Sequence, residues 1–238
     1  MSQTLLGGRV IHAQPAQGHR TGIEPVLLAA SIAARPGAHV LEGGTGSGAA
    51  LLCLAARVPG LTGLGIERLP AAAAIARANI AANGFAGLAV SEGDLTTLRP
   101  AGPFDHAFAN PPWHLEHGTA SPDAARDLAR RGAPDLLARW AAALAAPLRR
   151  RGSLTLVLPA GLLADGLAAL AAAGCGSFAV LPLWPHAGQP AGLLLLRGIK
   201  AGRGPTRLLA GLVLHEPAGG YSAAAGQVLR DAAALPWH

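Results

Sequence analysis

Cysteine, lysine and aromatic residues are all scarce in this sequence. Two cysteines, Cys53 and Cys175, are too few for a disulfide framework or a cysteine-based zinc site, and we expect both to be reduced and buried. Aromatic residues make up 4% of the 238 residues, so the core must consist mainly of alanine, leucine and valine. Charged residues make up 13% and hydrophobic residues 51%, a balance that excludes a disordered chain.

Long hydrophobic runs and a leader sequence are also missing. No apolar run approaches the roughly 20 residues that a membrane span needs. The first residues lack the basic and apolar regions of a signal peptide. We therefore expect a cytoplasmic protein that makes no membrane contact and acts as a monomer.

The positive charge is carried almost wholly by arginine, since Lys200 is the only lysine and the formal net charge is +6. The guanidinium group binds phosphate in a bidentate manner, but a genomic bias towards arginine codons would produce the same count. The charge is therefore compatible with nucleic-acid binding and does not decide for it. For the basic N-terminal arm of Arg9, His12, His19 and Arg20, contact with RNA is one interpretation.

Strand and helix patterns alternate from residue 38 onwards, which predicts an α/β fold with a mostly parallel sheet. We expect seven strands, an antiparallel edge and helices on both faces. Residues 1–22 lack helical periodicity and predict a hairpin or an extended arm. A long helical region is expected over about 123–148, with Arg149–Arg151 at its C-terminal end, where positive charge is favourable.

The sharpest local pattern is the glycine-rich segment Gly43–Gly48, which follows a buried strand and precedes a helix. Such a loop lets the backbone approach a ligand closely and presents the free N–H groups of a helix N-terminus. Glu67 ends the next strand about 20 residues further on, where a carboxylate accepts hydrogen bonds from both ribose hydroxyls. The pattern therefore predicts a nucleotide-containing cofactor.

Two cofactors fit this loop. Gly44, Gly46 and Ala49 satisfy the dinucleotide pattern, whereas Glu42 followed by Gly44, Gly46 and Gly48 satisfies the pattern for S-adenosylmethionine. Glu42 favours S-adenosylmethionine, because a carboxylate repels a pyrophosphate but can meet the cationic methionine end directly or through water. A plain strand-to-helix turn without a ligand is the remaining alternative.

A rigid tetrapeptide, Asn110-Pro111-Pro112-Trp113, follows the predicted strand 104–109. An exocyclic or amide nitrogen is a poor nucleophile because its lone pair is delocalised. Hydrogen bonds accepted from its N–H groups by the Asn110 side chain and the Pro111 carbonyl would favour a pyramidal nitrogen. Trp113 offers a flat face for stacking a planar group. His114 and His117 flank Glu116, but no third ligand is apparent, so we expect no metal.

Together, the glycine loop, Glu67, Gly93-Asp94 and Asn110–Trp113 resemble a Rossmann-like class I methyltransferase that uses S-adenosylmethionine and acts on amino groups. The chain is also similar to the bacterial tRNA(Val) adenine-N6 methyltransferases, which methylate the adenosine beside the anticodon. This similarity extends over almost the whole chain. The segments that carry it are 6–30, 52–60, 63–67, 212–216 and 221–225.

The resemblance implies an arm and helix over residues 1–37 that cover the cofactor crevice, and a methyltransferase domain over 38–238. It implies that Glu67 holds the ribose, that Asp94 accepts the adenine amine and that Arg20–Gly22 cover the amino-acid end. The residues implied in catalysis are Asn110, Pro111, Pro112 and Trp113. The residues implied in cofactor binding are Arg20, Thr21, Gly22, Glu42, Gly43, Gly44, Gly46, Gly48, Glu67, Arg68, Asp94, Leu95 and Asn110.

Two positions depart from the family's usual pattern. Trp113 stands where tyrosine is usual, and the wider indole leaves the accepted base open, while Glu42 stands where aspartate is commoner. The leading hypothesis is methylation of adenosine N6 in RNA, with tRNA as the expected partner. A protein glutamine N5-methyltransferase shares the Asn-Pro-Pro loop, although such enzymes usually carry a helical N-terminal domain. A non-catalytic module that binds S-adenosylmethionine or RNA is the third hypothesis.

Overall fold

The N-terminal segment folds back on itself as a two-stranded antiparallel hairpin. Strand β1 (Ser2–Leu5) pairs with β2 (Val10–Ala13) through the 3-10 turn Leu6–Gly8, which confirms the hairpin alternative of the sequence prediction. Leu6 and Val10 are buried in a hydrophobic cluster shared with the main sheet. The computed structural model describes residues 2–14, 21–112 and 136–237.

The main sheet contains nine strands among the described residues, two more than the sequence predicts. They are β3 (His39–Gly43), β4 (Thr62–Glu67), β5 (Leu88–Glu92), β6 (Phe104–Ala109), β7 (Leu148–Pro159), β8 (Cys175–Trp184), β9 (Leu193–Lys200), β10 (Arg207–Leu208) and β11 (Leu212–Val213). Their order is β10-β8-β9-β7-β6-β3-β4-β5, with β11 also paired to β8. Residues 207–213 pair with β8 in two short pieces, β10 and β11, and between them the Trp184 indole donates a hydrogen bond to the Ala210 carbonyl.

Strands β3 to β7 all run in parallel, so their carboxyl ends meet at one edge of the sheet. The antiparallel strand is β9, which lies between β7 and β8 near the opposite side of the sheet from β5. This arrangement confirms the mostly parallel α/β sheet. The edge formed by the ends of β3, β4, β5 and β6 is where a ligand is expected in such sheets.

Helices cover both faces of the sheet, as predicted. They are α1 (Glu24–Ser31), α2 (Ala49–Arg57), α3 (Pro70–Ala82), α4 (Leu136–Ala145), α5 (Leu163–Ala172) and α6 (Ala223–Asp231). Neighbouring strand residues alternate between two hydrophobic clusters: Val40 packs with α1, α2 and α6, while Leu41 packs with α4 and α5. No helix in the described ranges is both long and apolar enough to cross a bilayer.

The arginines Arg149–Arg151 lie in strand β7 and do not end a helix, so that sequence prediction is wrong. Leu148 already pairs with Phe104 of β6, and the register shifts before His106. Asp105 explains the early pairing, because its carboxylate lies 2.6 Å from Arg149 Nε and accepts the His39 backbone N–H at 2.8 Å. Asp105 therefore links the start of β6 to β3 and β7.

Candidate functional site

The glycine loop joins the end of β3 to the start of α2. Its path is fixed by two backbone hydrogen bonds, from Thr45 N–H to the Ile66 carbonyl at 3.0 Å and from Gly48 N–H to the Thr45 carbonyl at 2.8 Å. Gly48 has φ +90°, a conformation that glycine adopts without strain, and the helix begins at the next residue. The loop thus turns under the end of β4 and leads directly into the N-terminus of α2.

Glu42 is buried beneath this loop. Thr45 Oγ1 donates to Glu42 Oε2 at 2.5 Å, and only 5% of the Glu42 surface is exposed. The pKa of Glu42 is raised to about 8, mainly by burial. The charge of Glu67 also raises it, whereas hydrogen bonds from the Thr45 hydroxyl and the Leu51 backbone lower it. Without a cation beside it, Glu42 is therefore mainly protonated at neutral pH.

Glu67 ends β4 and ties two loops together. Its Oε2 accepts the Gly46 N–H at 2.9 Å, and its Oε1 accepts the Leu69 N–H at 2.8 Å. The space beside Gly46 is open, since no atom lies within 4 Å of the position that a Cβ would take. The Gly46 backbone is therefore open to a ligand at the place where it meets the Glu67 carboxylate.

Asp94 follows β5 and has a carboxyl group that stays ionised. Thr96 donates to Asp94 Oδ1 from both its backbone N–H and its hydroxyl, each at 2.8 Å. These two bonds lower the pKa of Asp94 and outweigh burial, which raises it. The charges of Arg68 and Arg139 lower it further. Leu95 is buried against Gly43, where a Cβ would lie 2.6 Å from Leu95 Cδ2.

The predicted catalytic tetrapeptide begins beside the glycine loop. Ala109, the last residue of β6, pairs with Gly43 of β3, so Asn110 leaves the sheet at the level where the glycine loop starts. Asn110 is half-buried, Pro111 is buried and Pro112 is half-buried. Trp113 lies outside the described residues.

The structure brings most of the predicted site residues to this one edge. The residues that converge there are Glu42, Gly43, Gly44, Gly46, Gly48, Glu67, Arg68, Asp94, Leu95, Asn110, Pro111 and Pro112. The backbone N–H of Thr21 donates at 3.0 Å to the side chain of Gln14, which is not one of these residues. Gly22 is exposed, and Arg20 lies outside the described residues.

Two side chains of α4 join the site without having been predicted. The Trp140 ring lies against Gly44, where a Cβ would be 2.7 Å from Trp140 Cη2, and Arg139 contributes positive charge near Asp94. The lack of a side chain at Gly44 therefore makes room for the Trp140 ring of the protein itself. The sequence pattern placed both residues on a helix but gave no signal of the loop that this helix would face.

The structure describes two residues of the basic arm, His12 and Arg9, and of these Arg9 is exposed. His12 is fully buried, with its Nε2 2.9 Å from Ser47 Oγ of the glycine loop. Arg9 Nη1 donates to the Leu6 carbonyl at 3.0 Å and to the Arg230 carbonyl at 2.6 Å. The suggested RNA contact is thus wrong for the buried His12 and stays a prediction for the exposed Arg9. His19 and Arg20 lie outside the described residues.

Neither cysteine belongs to the site. Cys53 and Cys175 are free and buried, and burial raises the pKa of Cys53 to about 12, so its thiol is not ionised at neutral pH. Within the parts of the chain that the structure describes, no group of three or more His, Cys, Asp or Glu residues is placed to hold a metal ion. His114, Glu116 and His117 lie outside those parts.

Comparison with known proteins agrees with this geometry. Residues 23–160 match the methyltransferase small domain family. A tRNA1(Val) (adenine(37)-N6)-methyltransferase of Porphyromonas gingivalis is 34% identical over 156 residues, which is 61% of each chain. A release factor glutamine methyltransferase of Rhodospirillum rubrum is 42% identical over 77 residues, 32% of this chain and 24% of the relative. The match thus spans less than two thirds of either relative.

Solved structures show the same fold. A predicted O-methyltransferase of Agrobacterium tumefaciens superposes with a TM-score of 0.74 at 23% identity, covering 89% of this chain and 97% of the other. A methyltransferase of Pyrococcus furiosus gives a TM-score of 0.59 at 18% identity, covering 81% and 90%. At these identities the similarity establishes the architecture of the sheet and its helices.

Proposed function

Because this chain belongs to the methyltransferase small domain family, we propose that it transfers a methyl group to the exocyclic N6 of an adenosine in RNA, with tRNA as the expected substrate. Membership of the family and the shared fold imply S-adenosylmethionine as the cofactor. One observation carries the proposal: Asn110-Pro111-Pro112 leaves β6 directly beside the glycine loop, because Ala109 pairs with Gly43. The match to a tRNA adenine-N6 methyltransferase over 156 residues supports the choice of RNA.

The residues at this edge fit S-adenosylmethionine. Each Glu67 oxygen already accepts one backbone N–H but has two lone pairs, so the carboxylate can also accept the ribose hydroxyls. The Thr96 bonds use Asp94 Oδ1, and Oδ2 supplies an acceptor for the adenine amine. A cationic group near Glu42 would favour its ionised form and oppose the effect of burial.

The proposed catalytic work of the chain is to prepare the acceptor nitrogen. When bound, the cofactor supplies an activated methyl group on its sulfonium. The Asn110 side-chain oxygen and the Pro111 carbonyl accept hydrogen bonds from the N6 amine, which weakens delocalisation of its lone pair into the ring. Pro111 and Pro112 hold the loop rigid, since each fixes φ near −65° and removes a backbone donor. The stabilisation is strongest when the nitrogen is pyramidal, as required in the transition state.

A protein glutamine side chain is the second candidate acceptor. Its primary amide has the same delocalised lone pair, so the Asn-Pro-Pro loop would prepare it by the same hydrogen bonds. The observation that favours it is the 42% identity to the release factor glutamine methyltransferase. That match covers only 77 residues, about half the length of the match to the tRNA enzyme.

The two candidates are separated by where the methyl group goes. Purified protein is incubated with methyl-labelled S-adenosylmethionine and total tRNA, total rRNA or a protein extract. We expect label in tRNA, formed about a hundredfold more slowly with Asn110→Ala. Gln189→Ala, which removes an exposed amide after β8, is the matched control and should behave as wild type. Label that enters only protein would contradict the RNA proposal and establish the glutamine alternative.

A further inference from the structure

The N-terminal hairpin is fixed to α3 by two asparagine side chains that imitate a neighbouring strand. Asn83 Oδ1 accepts the Ile11 N–H at 2.9 Å and its Nδ2 donates to the Ile11 carbonyl at 2.7 Å. Asn79 does the same for Ala13, at 2.9 and 2.8 Å. Each amide thereby satisfies both backbone groups of one strand residue, as a strand partner would.

The spacing explains why two such contacts form side by side. Asn79 and Asn83 are four residues apart on the helix, about 6 Å along its axis. Ile11 and Ala13 are two residues apart on β2, about 7 Å along the strand, and share the same strand edge. The two asparagine contacts therefore fix the register of β2 against α3, while the other edge of β2 pairs with β1.

This docking brings β2 to Ser47 of the glycine loop. His12, between the two anchored strand residues, lies with its Nε2 2.9 Å from Ser47 Oγ. Asn79 Nδ2 also donates to the Ser47 carbonyl at 2.9 Å. Ser47 is therefore held at its side chain by β2 and at its main chain by α3.

The position of Ser47 within the loop gives these contacts their importance. It lies between Gly46 and Gly48, which have φ +56° and +90°. Glycine has the widest backbone freedom of any residue, so a loop with glycines at these positions keeps one shape only if its other residues are held. Thr45 is held from the sheet side by Glu42 and Ile66, whereas Ser47 is held by the hairpin and α3.

His12 is suited to this task because it is neutral. Burial lowers the pKa of His12, so the imidazole is uncharged at neutral pH and carries one N–H. The Gln3 amide nitrogen lies 3.5 Å from Nδ1, which favours the tautomer with the proton on Nε2. In that form the imidazole donates to Ser47 Oγ.

We propose that His12 is a positioning residue of the cofactor site: anchored by Asn79 and Asn83, the hairpin holds Ser47 and thereby keeps the glycine loop in the shape that receives S-adenosylmethionine. The proposal rests on the cofactor assignment and is independent of which acceptor is methylated. The hairpin thus belongs to the cofactor site, although His12 itself need not touch the ligand.

The test is a double-mutant cycle read in the Kd for S-adenosylhomocysteine, measured by calorimetry without any acceptor. We expect His12→Leu and Ser47→Ala each to raise Kd by about five- to twentyfold, roughly the value of one hydrogen bond. The double variant should be no weaker than the weaker single variant, because both changes remove the same contact. His12→Gln, whose amide nitrogen can replace Nε2, should restore most of the affinity.

Three controls separate positioning from folding. Ile11→Ala removes an exposed side chain from β2 and leaves its backbone bonds to Asn83, so Kd should stay at the wild-type value. If His12→Leu does not fold, Ser47→Ala removes the same bond without changing the hairpin and carries the test. At saturating cofactor, kcat of the Ile11→Ala variant should likewise stay within about twofold of wild type.

Two results would overturn the proposal. One is a loss of thermal stability in His12→Leu or Ser47→Ala with an unchanged Kd. The other is a double variant whose Kd is the product of two independent effects. Failure of the wild-type protein to bind S-adenosylhomocysteine would instead reject the cofactor assignment, so the two failures are distinguishable.

Discussion

At the scale of single residues, two glutamates in one site have different surroundings. Glu67 accepts two backbone N–H groups, an arrangement suited to a carboxylate. Glu42 lies deeper and has its pKa raised to about 8, mainly by burial. The site therefore combines an acceptor suited to hydroxyl groups with a buried acid whose ionised form a bound cation would favour.

Glu42→Gln should remove a pH-dependent loss of stability. The folded pKa of about 8 lies above the ordinary value of 4.5, so the folded protein holds this proton more tightly than the unfolded chain. The stabilising effect is complete below about pH 4.5 and is lost as pH rises towards 8, by at most about 1.4 kcal/mol per pH unit. The free energy of unfolding of wild type should therefore fall relative to that of Glu42→Gln across this range.

Urea unfolding of both proteins between about pH 6 and 8 measures this difference. Glu92→Gln changes an exposed glutamate at the end of β5 and is the matched control, expected to run parallel to wild type. A constant difference between wild type and Glu42→Gln over the same range would contradict a buried, protonated Glu42.

At the scale of elements, the sequence predicted best where a strand ends in a marked loop. Strand β6 was predicted with its exact bounds. As expected, the glycine loop comes at the end of β3 and Glu67 is the last residue of β4. Prediction was poorest where residues far apart in the sequence determine the local structure. Arg149 pairs with Asp105 where β7 begins earlier than predicted, and Trp140 contacts Gly44 across more than ninety residues of chain. Local periodicity carries no signal of such contacts.

Trp140 should report ligand binding at the loop it contacts. Its ring packs on Gly44, so a ligand beside the glycine loop should change its fluorescence. We expect Trp140→Phe to lose the larger part of the emission change produced by S-adenosylhomocysteine. Trp237→Phe is the control, because this indole is buried under Arg197 and donates to the Ser31 carbonyl. An undiminished change in Trp140→Phe would place the ligand away from Gly44.

At the scale of the whole molecule, the arginines that produce the net charge of +6 differ in where they lie and in what they bind. Arg149–Arg151 lie at the start of β7, at the edge of the sheet opposite the glycine loop. Arg9 is bound to backbone carbonyls. Arg68 is exposed on the loop that follows β4, near Asp94 on the side of the candidate site, and Arg99 is exposed in the segment between β5 and β6. Phosphate contact is therefore expected on that side.

The KM for tRNA should rise steeply with salt, because each neutralised phosphate releases counterions, and roughly 3–5 phosphates are expected to be engaged. Arg99→Glu should raise KM and flatten the salt dependence by about one contact. Arg150→Glu makes the same charge change at the opposite edge and should leave the slope unchanged. Equal effects of the two variants would contradict an RNA surface on the side of the site, and a KM indifferent to salt would contradict an RNA substrate.

The most direct test of the central claim compares turnover and binding in Asn110→Ala. Its amide is proposed to act on the acceptor nitrogen in the transition state, so its loss should lower kcat for N6-methyladenosine formation in tRNA by about two powers of ten. The Kd for S-adenosylhomocysteine should stay within a few-fold of wild type. Nucleoside analysis of tRNA together with calorimetry gives both values. A variant that still forms N6-methyladenosine at nearly the wild-type rate would contradict the account.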